Sequence, residues 1–494
     1  MRGVWRAADV RAAEAELMAT LPPGTLMQRA AAGLARRCAF LLADTGGVYG
    51  ARVLLLVGAG NNGGDALYAG AHLAARGAAV AALLLAPDRV DPRALAALRA
   101  AGGRTVDAAP ERVDLVIDGI VGLGGTGGLR PAAAAVVGRL GELRSRGGDR
   151  PLVVAVDLPS GVDVDTGHVP EAAGEVAAVR ADVTVTFGCL KPALVVGAGA
   201  VHAGHVDLVD IGLGPWLTTD PAIQVPEWAD LVAWWPRLDA SSEKYRRGVV
   251  GLATGSATYP GAAVLSVGGA LAGPTGLVRY AGGAAAQVLQ RYPSVIATDR
   301  VAEAGRVQAW VCGAGLGLDA AAEAELRDVL ATPVPVVLDA DALTLLRDDA
   351  LAELVRRREA PVVITPHDRE FARLAGGPPG PDRVGATLRL AAAMNVTVLL
   401  KGDRTIVATP RGRVFANPTG TPVLATGGTG DVLAGLIGSL LAAGLPPERA
   451  AIAAAYVHGL AGRAAARRGA VTASDVAEAL RAVVPVRGLG GSVG

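Results

Sequence analysis

Arg52-Val53-Leu54-Leu55-Leu56-Val57-Gly58-Ala59-Gly60-Asn61-Asn62-Gly63-Gly64-Asp65 decides the architecture of the first half of this chain. An apolar run closes on a glycine-rich turn, and a stretch of helical period, residues 66–76, follows. A continuous apolar run fits a parallel strand covered on both faces. Glycines between such a strand and a helix expose backbone N–H groups at the helix N-terminus, a ready site for phosphate. The order is neither GxGxxG nor GxxxxGK[ST], because a second Asn and an Asp occupy critical positions. A tight turn alone would account for glycine and Asn in left-handed dihedrals. Two adjacent Asn and an Asp among four glycines exceed that need and point to ligand binding.

Further apolar runs continue the series: Ala79–Leu84, 114–117, Leu152–Val156 and Val183–Phe187, with helical segments between them. Alternation of this kind predicts α/β layering. The run at 114–117 ends in Asp118 and enters residues 119–128, where six of ten are glycine. Such a loop cannot pack a core; its use is close backbone approach to a ligand. The run Leu152–Val156 leads into Asp157-Leu158-Pro159-Ser160-Gly161. Three strand ends thus present Asn62, Asp118, Asp157 and Ser160, hard oxygen donors suited to a cation or a sugar-phosphate.

At 494 residues the chain exceeds one ordinary domain. Hydrophobic residues make up 51% and aromatics only 3%, so its cores are built from Ala, Val and Leu. Net charge is +1 and no basic stripe stands out, which argues against nucleic-acid binding. Cys38, Cys189 and Cys312 form no CxxC pair, so a reducing compartment is expected rather than a disulfide framework or zinc site. Mean hydropathy is +0.39 because of alanine, yet no stretch approaches the roughly 20 apolar residues of a membrane span. Residues 1–10 lack the apolar run of a signal peptide, so a cytoplasmic location is expected.

The pattern breaks into Gly, Pro and Thr after residue 212, and 214–234 reads as a linker between domains at 1–213 and 235–494. A second α/β series follows, with strands expected at 248–254, 276–280, Ala309–Cys312, 334–339, 361–365 and 397–401. Helical regions at 430–444 and 446–468 end it. The two halves carry different glycine motifs and no internal repeat, so the chain reads as a fusion.

The string GNNGGD, then D-G-x-x-G-x-G, DLPSG, Thr184-Val185-Thr186-Phe187 and Lys191-Pro192 resembles the NAD(P)H-hydrate epimerase family over roughly residues 1–213. The resemblance implies a Rossmann-like three-layer sandwich that binds potassium and acts on hydrated nicotinamide nucleotides. It implies potassium ligands at Asn62, Asp118 and Ser160. It implies substrate contacts at Asn61, Asn62, Gly63, Gly64 and Asp65, at Gly122, Leu123, Gly124, Gly125, Thr126, Gly127 and Gly128, and at Asp157, which is also the candidate acid/base. Ala59 and Ala66 replace the family's usual Pro and Gly.

In the second half, Ala425-Thr426-Gly427-Gly428-Thr429-Gly430-Asp431 precedes an apolar helix. Glycines at a helix N-terminus offer donors to an anion, and Asp431 stands where a base near a transferring phosphate belongs. No Walker lysine is present, and an N-cap needs one polar residue rather than GGTGD. The motif resembles the ribokinase-like superfamily. Tyr259-Pro260-Gly261-Ala262, Cys312-Gly313-Ala314-Gly315-Leu316-Gly317, Asp339-Ala340-Asp341, Thr365-Pro366-His367 and Leu400-Lys401-Gly402 narrow the resemblance to ADP/ATP-dependent NAD(P)H-hydrate dehydratases, over roughly residues 235–485. That implies Asp431 as catalytic base and substrate contacts at Ala262, Gly315, Gly317, His367 and Asp431. It implies a nucleotide against Lys401, Gly402, Asp403, Arg404, Thr405, Gly428, Thr429 and Gly430, with magnesium on its phosphates. After His367 the usual Pro-Gly-Glu is replaced by Asp368-Arg369-Glu370.

The function expected is repair: epimerising hydrated NADH and NADPH, then dehydrating the S form with ADP or ATP. The rival is a ribokinase-like small-molecule kinase fused to a non-catalytic nucleotide-binding module. Partners are small molecules, without nucleic acid or membrane, and a homo-oligomer is expected.

Overall fold

A computed structural model describes residues 1–44, 46–125, 127–145, 150–171, 176–237 and 243–485. Contacts divide the chain into two compact units, Gly3–Ile223 and, with Met1–Arg2, Gln224–Gly494.

The first unit is built on a parallel sheet in the spatial order Arg104–Val106, Ala79–Leu84, Arg52–Val57, Leu115–Gly119, Leu152–Val156, Val183–Phe187, His205–Val209. Successive side chains alternate between two cores. Leu54, Leu56 and Val116 pack with Val136 and Leu140 of the helix Pro131–Ser145. Leu55, Val57 and Ile117 pack with Leu34 of Thr25–Ala43 and Leu67 of Asn61–Ala74. Burial on both faces is why these strands read as continuous apolar runs. The spatial order reverses between Arg52–Val57 and Leu115–Gly119, as in a Rossmann-like sheet, and ligands bind outside the carboxyl ends of strands at such a reversal.

One boundary differs from expectation in a way that matters. The helix after the glycine turn begins at Asn61, not at residue 66. Asn61 through Asp65 are therefore its first turn, and the amides of Asn61 and Asn62 stand among its unpaired N-terminal donors. Gly63 and Gly64 donate to the Gly60 carbonyl at 3.1 and 3.3 Å. Glycine has poor helix propensity, so the periodicity hid this turn.

The second unit repeats the device. Thr397–Leu400, Val362–Ile364, Val336–Leu338, Ala309–Cys312, Val249–Ala253, Leu277–Ala281 and Ile296–Thr298 lie parallel in that order, reversing between Ala309–Cys312 and Val249–Ala253. The antiparallel pair Ile406–Ala408 and Val414–Ala416 extends the sheet. The segment 214–234, read as linker, is not merely connecting. Ile223–Val225 is a strand whose Gln224 pairs with Phe415, and Trp228–Trp234 is a helix closed by a capping box between Glu227 and Asp230. Elements of three and seven residues are too short for periodicity to reveal. Among the described residues no helix is long and apolar enough to cross a membrane, and the three cysteines are free and buried.

The helix Thr429–Ala442 lies against Pro260–Ala272 at backbone distance. A Cβ on Gly435 would meet the Ser266 carbonyl oxygen at 1.9 Å, and one on Gly269 would meet that of Val432 at 2.0 Å. Neither backbone oxygen can rotate away. Gly435→Ala should therefore lower stability by about 1–3 kcal/mol through overpacking, read as a fall in the urea midpoint. A loss near zero would show that the two helices part freely.

Candidate active sites

In the first unit the carboxyl ends of Leu115–Gly119 and Leu152–Val156 bring Asp118 and Ser160 together. Ser160 donates to Asp118 twice, from its amide at 2.9 Å and its hydroxyl at 2.7 Å, and the Ile120 amide adds a longer bond at 3.3 Å. Asp118 is fully buried, and burial pushes its carboxyl up to about 6. Among the described residues no lysine or arginine pairs with it. Asn62 stands beside them, its amide nitrogen donating to the Val156 carbonyl at 2.5 Å. A Cβ on Gly122 would fall 2.2 Å from Asn62 Oδ1, so only glycine lets this loop close over Asn62. The structure thus gathers Asn62, Asp118 and Ser160 with Gly122. Thr126 lies outside the described residues.

Asp157 sits at the next strand end, buried, in a left-handed backbone conformation (φ 65°) that non-glycine residues rarely adopt. Lys191 Nζ lies 2.6 Å from its Oδ1, inside the protein. Asp65 is raised well above the usual carboxylate range by burial and by the charges of Asp157 and Glu14. Glu14, on the helix Ala7–Ala19, is raised by burial, against the pull of Lys191. From the same helix Arg11 donates to the Leu123 carbonyl. Lys191 and Glu14 had no role assigned from sequence; their signal, a lysine and a carboxylate far apart along the chain, becomes visible only once the fold joins them.

In the second unit the ends of the strands Val336–Leu338 and Thr397–Leu400 converge with the first turns of the helices Asp368–Ala375 and Thr429–Ala442. Lys401 Nζ lies 2.7 Å from Asp339 Oδ1 and 3.5 Å from Glu370 Oε2. A Cβ on Gly430 would sit 3.4 Å from Lys401 Nζ and 3.6 Å from Asp339 Oδ2, which brings the glycine turn against this pair. Lys401 is therefore not a free cation awaiting phosphate. Burial works against its charge, but Asp339, Glu370 and Asp431 outweigh that and raise its pKa. Asp431, in the first turn of Thr429–Ala442, is pushed up to about 7 by burial and by Asp339, against the opposing pull of Lys401. Gly428, at φ 89°, is the residue before that helix and has no side chain to cap it.

Gly315 and Ala262 meet closely: a Cβ on Gly315 would be 2.8 Å from that of Ala262. The Gly317 amide donates to Asp341 Oδ2 at 3.0 Å, and Asp341 also acts on Asp431. His367 has a definite structural task. Its Nδ1 accepts the amides of Arg369 and Glu370, while Glu370 accepts the His367 amide, so the pair forms a capping box. Glu370 thus keeps a place despite the altered residues before it. Thr405 donates to the Gly402 carbonyl at 2.9 Å, and Arg404 donates to the Pro418 carbonyl at 3.3 Å. Asp403 packs at Gly420, whose Cβ would lie 1.7 Å from its carbonyl oxygen. Asp339, Asp341 and Glu370 were missed as site residues, although Asp339 follows a strand directly and Asp341 and Glu370 stand in the first turns of helices.

Comparison with known proteins agrees across both halves. The family described as YjeF-related protein N-terminus matches residues 23–193, and that described as NAD(P)H-hydrate dehydratase matches 250–483. A bifunctional NAD(P)H-hydrate repair enzyme of Mycobacterium leprae is 52% identical over 480 residues, covering 96% of this chain and 95% of its own. The chain belongs to the bifunctional NAD(P)H-hydrate repair enzymes. The Corynebacterium glutamicum relative of the same description is 40% identical, over 79% of this chain and 78% of its own. Among solved structures, a Bacillus subtilis ADP/ATP-dependent NAD(P)H-hydrate dehydratase co-crystallised with ATP and Mg2+ is 30% identical, covering 53% of this chain and 98% of its own, with a TM-score of 0.47. Relatives that span both halves leave no support for a kinase fused to a non-catalytic module. The chain is an enzyme of nicotinamide nucleotide repair with an epimerase and a dehydratase domain.

The elevated Asp431 sets a pH dependence. With Asp431 serving as the dehydration base, which must be deprotonated to act, kcat/KM for dehydration should rise as pH increases through about 7 and level off above it. An acidic limb centred near 4 would show that the titrating base is not Asp431.

Proposed function

We propose that the two reactions are divided between Asp157 and Asp431, each acting on carbon 6 of the hydrated dihydropyridine ring. In the epimerase half, inversion requires the carbon–oxygen bond beside the ring nitrogen to break and re-form. Asp157 is buried at the end of Leu152–Val156, within electrostatic reach of Asp65 and Glu14; its carboxylate stabilises the cationic ring species and exchanges the proton. Asn61, Asn62, Gly63, Gly64 and Asp65 open the helix that faces the nucleotide's phosphates, with Gly122 packed against Asn62.

The residues around Asp118 fit a potassium ion. A fully buried carboxylate with, among the described residues, no cationic side chain beside it, together with Asn62 and Ser160, offers one negative charge and neutral oxygens. Potassium held by Asn62, Asp118 and Ser160 would supply charge balance next to the phosphate-facing turn.

In the dehydratase half, Asp431 takes the proton from the carbon-6 hydroxyl as that oxygen attacks the terminal phosphate of ADP or ATP. Gly428, Thr429 and Gly430 offer backbone donors to the transferring group. The P–O bond to the departing AMP or ADP breaks as the ester forms; the ring nitrogen then expels inorganic phosphate by breaking the carbon-6–oxygen bond, and loss of a proton from carbon 5 restores the dihydropyridine. The nucleotide lies along Lys401–Thr405, the substrate against Ala262, Gly315, Gly317 and His367. Asp339, Asp341, Glu370 and Asp431 outnumber Lys401, and this excess negative charge suits magnesium on the incoming phosphates. The observation that carries this reading is the helix N-terminus holding Gly430 and Asp431 against the Lys401–Asp339 pair. The reading also carries a cytoplasmic location and a homo-oligomeric state, checked by fractionation and light scattering.

Two substitutions in the intact chain separate the reactions. Asp431→Asn should cut recovery of reduced-nicotinamide absorbance by about 100- to 10,000-fold while R and S hydrates still interconvert on chromatography. Asp157→Asn should leave S dehydration near normal and slow R consumption to the spontaneous rate. Loss of both reactions in either variant would contradict two separate sites.

The cation is tested apart from catalysis. Potassium should raise the melting temperature of the wild-type protein relative to tetramethylammonium at equal ionic strength, and Asp118→Ala should abolish that difference. An equal potassium response in Asp118→Ala would remove Asp118 from the cation site.

A further inference from the structure

The carboxylate of Asp157 is held in a strongly asymmetric way. Three donors converge on Oδ1: Lys191 Nζ at 2.6 Å, the Thr186 hydroxyl at 2.9 Å and the Phe187 amide at 3.4 Å. Among the described residues no hydrogen bond reaches Oδ2. Lys191 is 1% exposed, and its three ammonium protons are all committed, to Asp157 Oδ1, to Thr186 Oγ1 at 2.9 Å and to the Phe187 carbonyl at 2.9 Å.

This arrangement fixes the direction of each hydrogen. An ammonium has no acceptor, so Thr186 Oγ1 must accept from Lys191, and its own hydrogen is then free to donate to Asp157 Oδ1. The Phe187 amide can only donate. Oδ1 is therefore ringed by donors and has no room for a proton of its own. The backbone cannot turn the carboxylate over: the Asp157 amide donates to Val185 at 2.8 Å, inside the sheet, at φ 65°. The other charged and titratable groups around this pair, Asp9, Arg11 and Glu14 on Ala7–Ala19, Asp65 on Asn61–Ala74 and the Cys189 thiol, give Asp157 no hydrogen bond.

We propose that Lys191 is a positioning residue of the epimerase reaction, which with Thr186 anchors Asp157 through Oδ1 so that all substrate chemistry runs through Oδ2. The proposal rests on the assignment of Asp157 as the epimerase acid/base. An ion pair serving the fold alone would need no such one-sided anchoring, and its replacement by apolar residues of similar volume is often neutral. A positioning role predicts instead that the anchor acts on turnover, and only through Asp157.

The experiment is a double-mutant cycle in the full-length protein, with R-to-S interconversion followed by chromatography and S dehydration in the same preparations as a measure of folded enzyme. Lys191→Met should lower epimerase kcat by about 100-fold or more while KM for the R hydrate changes less than about threefold, because the anchor leaves the phosphate-facing turn alone. Thr186→Val keeps the ion pair but removes one donor to Oδ1 and one acceptor of Lys191, so it should fold with reduced stability and lower kcat by about tenfold. In an Asp157→Asn background neither substitution should slow the reaction further, since residues acting as one unit are not additive. If Lys191→Met fails to fold, Thr186→Val and the Lys191→Met/Asp157→Asn double variant, which leaves no buried charge uncompensated, carry the test. Asp157→Asn inactive but the folded anchor variants at wild-type kcat would overturn the positioning role alone. An active Asp157→Asn would overturn the acid/base assignment, and the anchor with it. Losses that multiply in the cycle would show Lys191 and Thr186 acting independently of Asp157, which also refutes the proposal.

Discussion

A carboxylate buried at the carboxyl end of a parallel strand costs on the order of several kcal/mol unless something compensates its charge. Both units are organised around that constraint, with a different solution at each position. Asp118 has amide and hydroxyl donors but, among the described residues, no cationic side chain. Asp157 has an internal ammonium, Lys191. Asp339 has Lys401, which it shares with Glu370. The rest of each site follows: an uncompensated charge invites a cation, and a compensated one keeps a fixed orientation. Asp431, buried and facing more negative than positive neighbours, holds its proton to about neutrality.

Strand reversal makes these positions coincide. Helices leaving to opposite faces of a sheet open a crevice, and the strand ends on either side of it can be lined with polar groups while the strands stay apolar. The local backbone carries the strain of this arrangement. Three non-glycine residues adopt positive φ among the described residues. Asn395 ends a helix, where Asn is at ease, but Asp157 and Ala340 lie at strand ends inside the two sites. Ala340 falls between Asp339 and Asp341, so the backbone at that position turns two consecutive carboxylates to different tasks, one to Lys401 and one to the Gly317 amide.

Much of this was legible in the sequence because buried parallel strands and glycine-rich turns leave strong local marks. The runs at Arg52–Val57 and Ala309–Cys312 could be read directly, as could the motifs containing Asn62, Asp118, Ser160 and Asp431. What escaped reading depended on relations between distant residues. Lys191 pairs with Asp157 across 34 positions and Lys401 with Asp339 across 62, and neither spacing is a pattern. The helix at Asn61 escaped because its first turn holds two glycines, and the helix Trp228–Trp234 because seven residues give fewer than two full turns of periodicity. His367 shows a further limit: the structure gives it a helix-capping task, and sequence does not tell such a task from the substrate contact proposed for it.

The close approach of Thr429–Ala442 to Pro260–Ala272 has a bearing on how this protein could be adapted to heat. Its buried positions are dominated by alanine, valine, leucine and glycine, and at Gly269 and Gly435 the facing backbone itself fills the space. Such an interior leaves no slack for larger side chains, so a thermotolerant descendant could not be reached by filling its middle with bulkier residues. Improvement would have to enter from the outside, through shorter connections, added prolines and surface charge networks. The helix that bears Asp431 would then keep its register while the exterior changed around it.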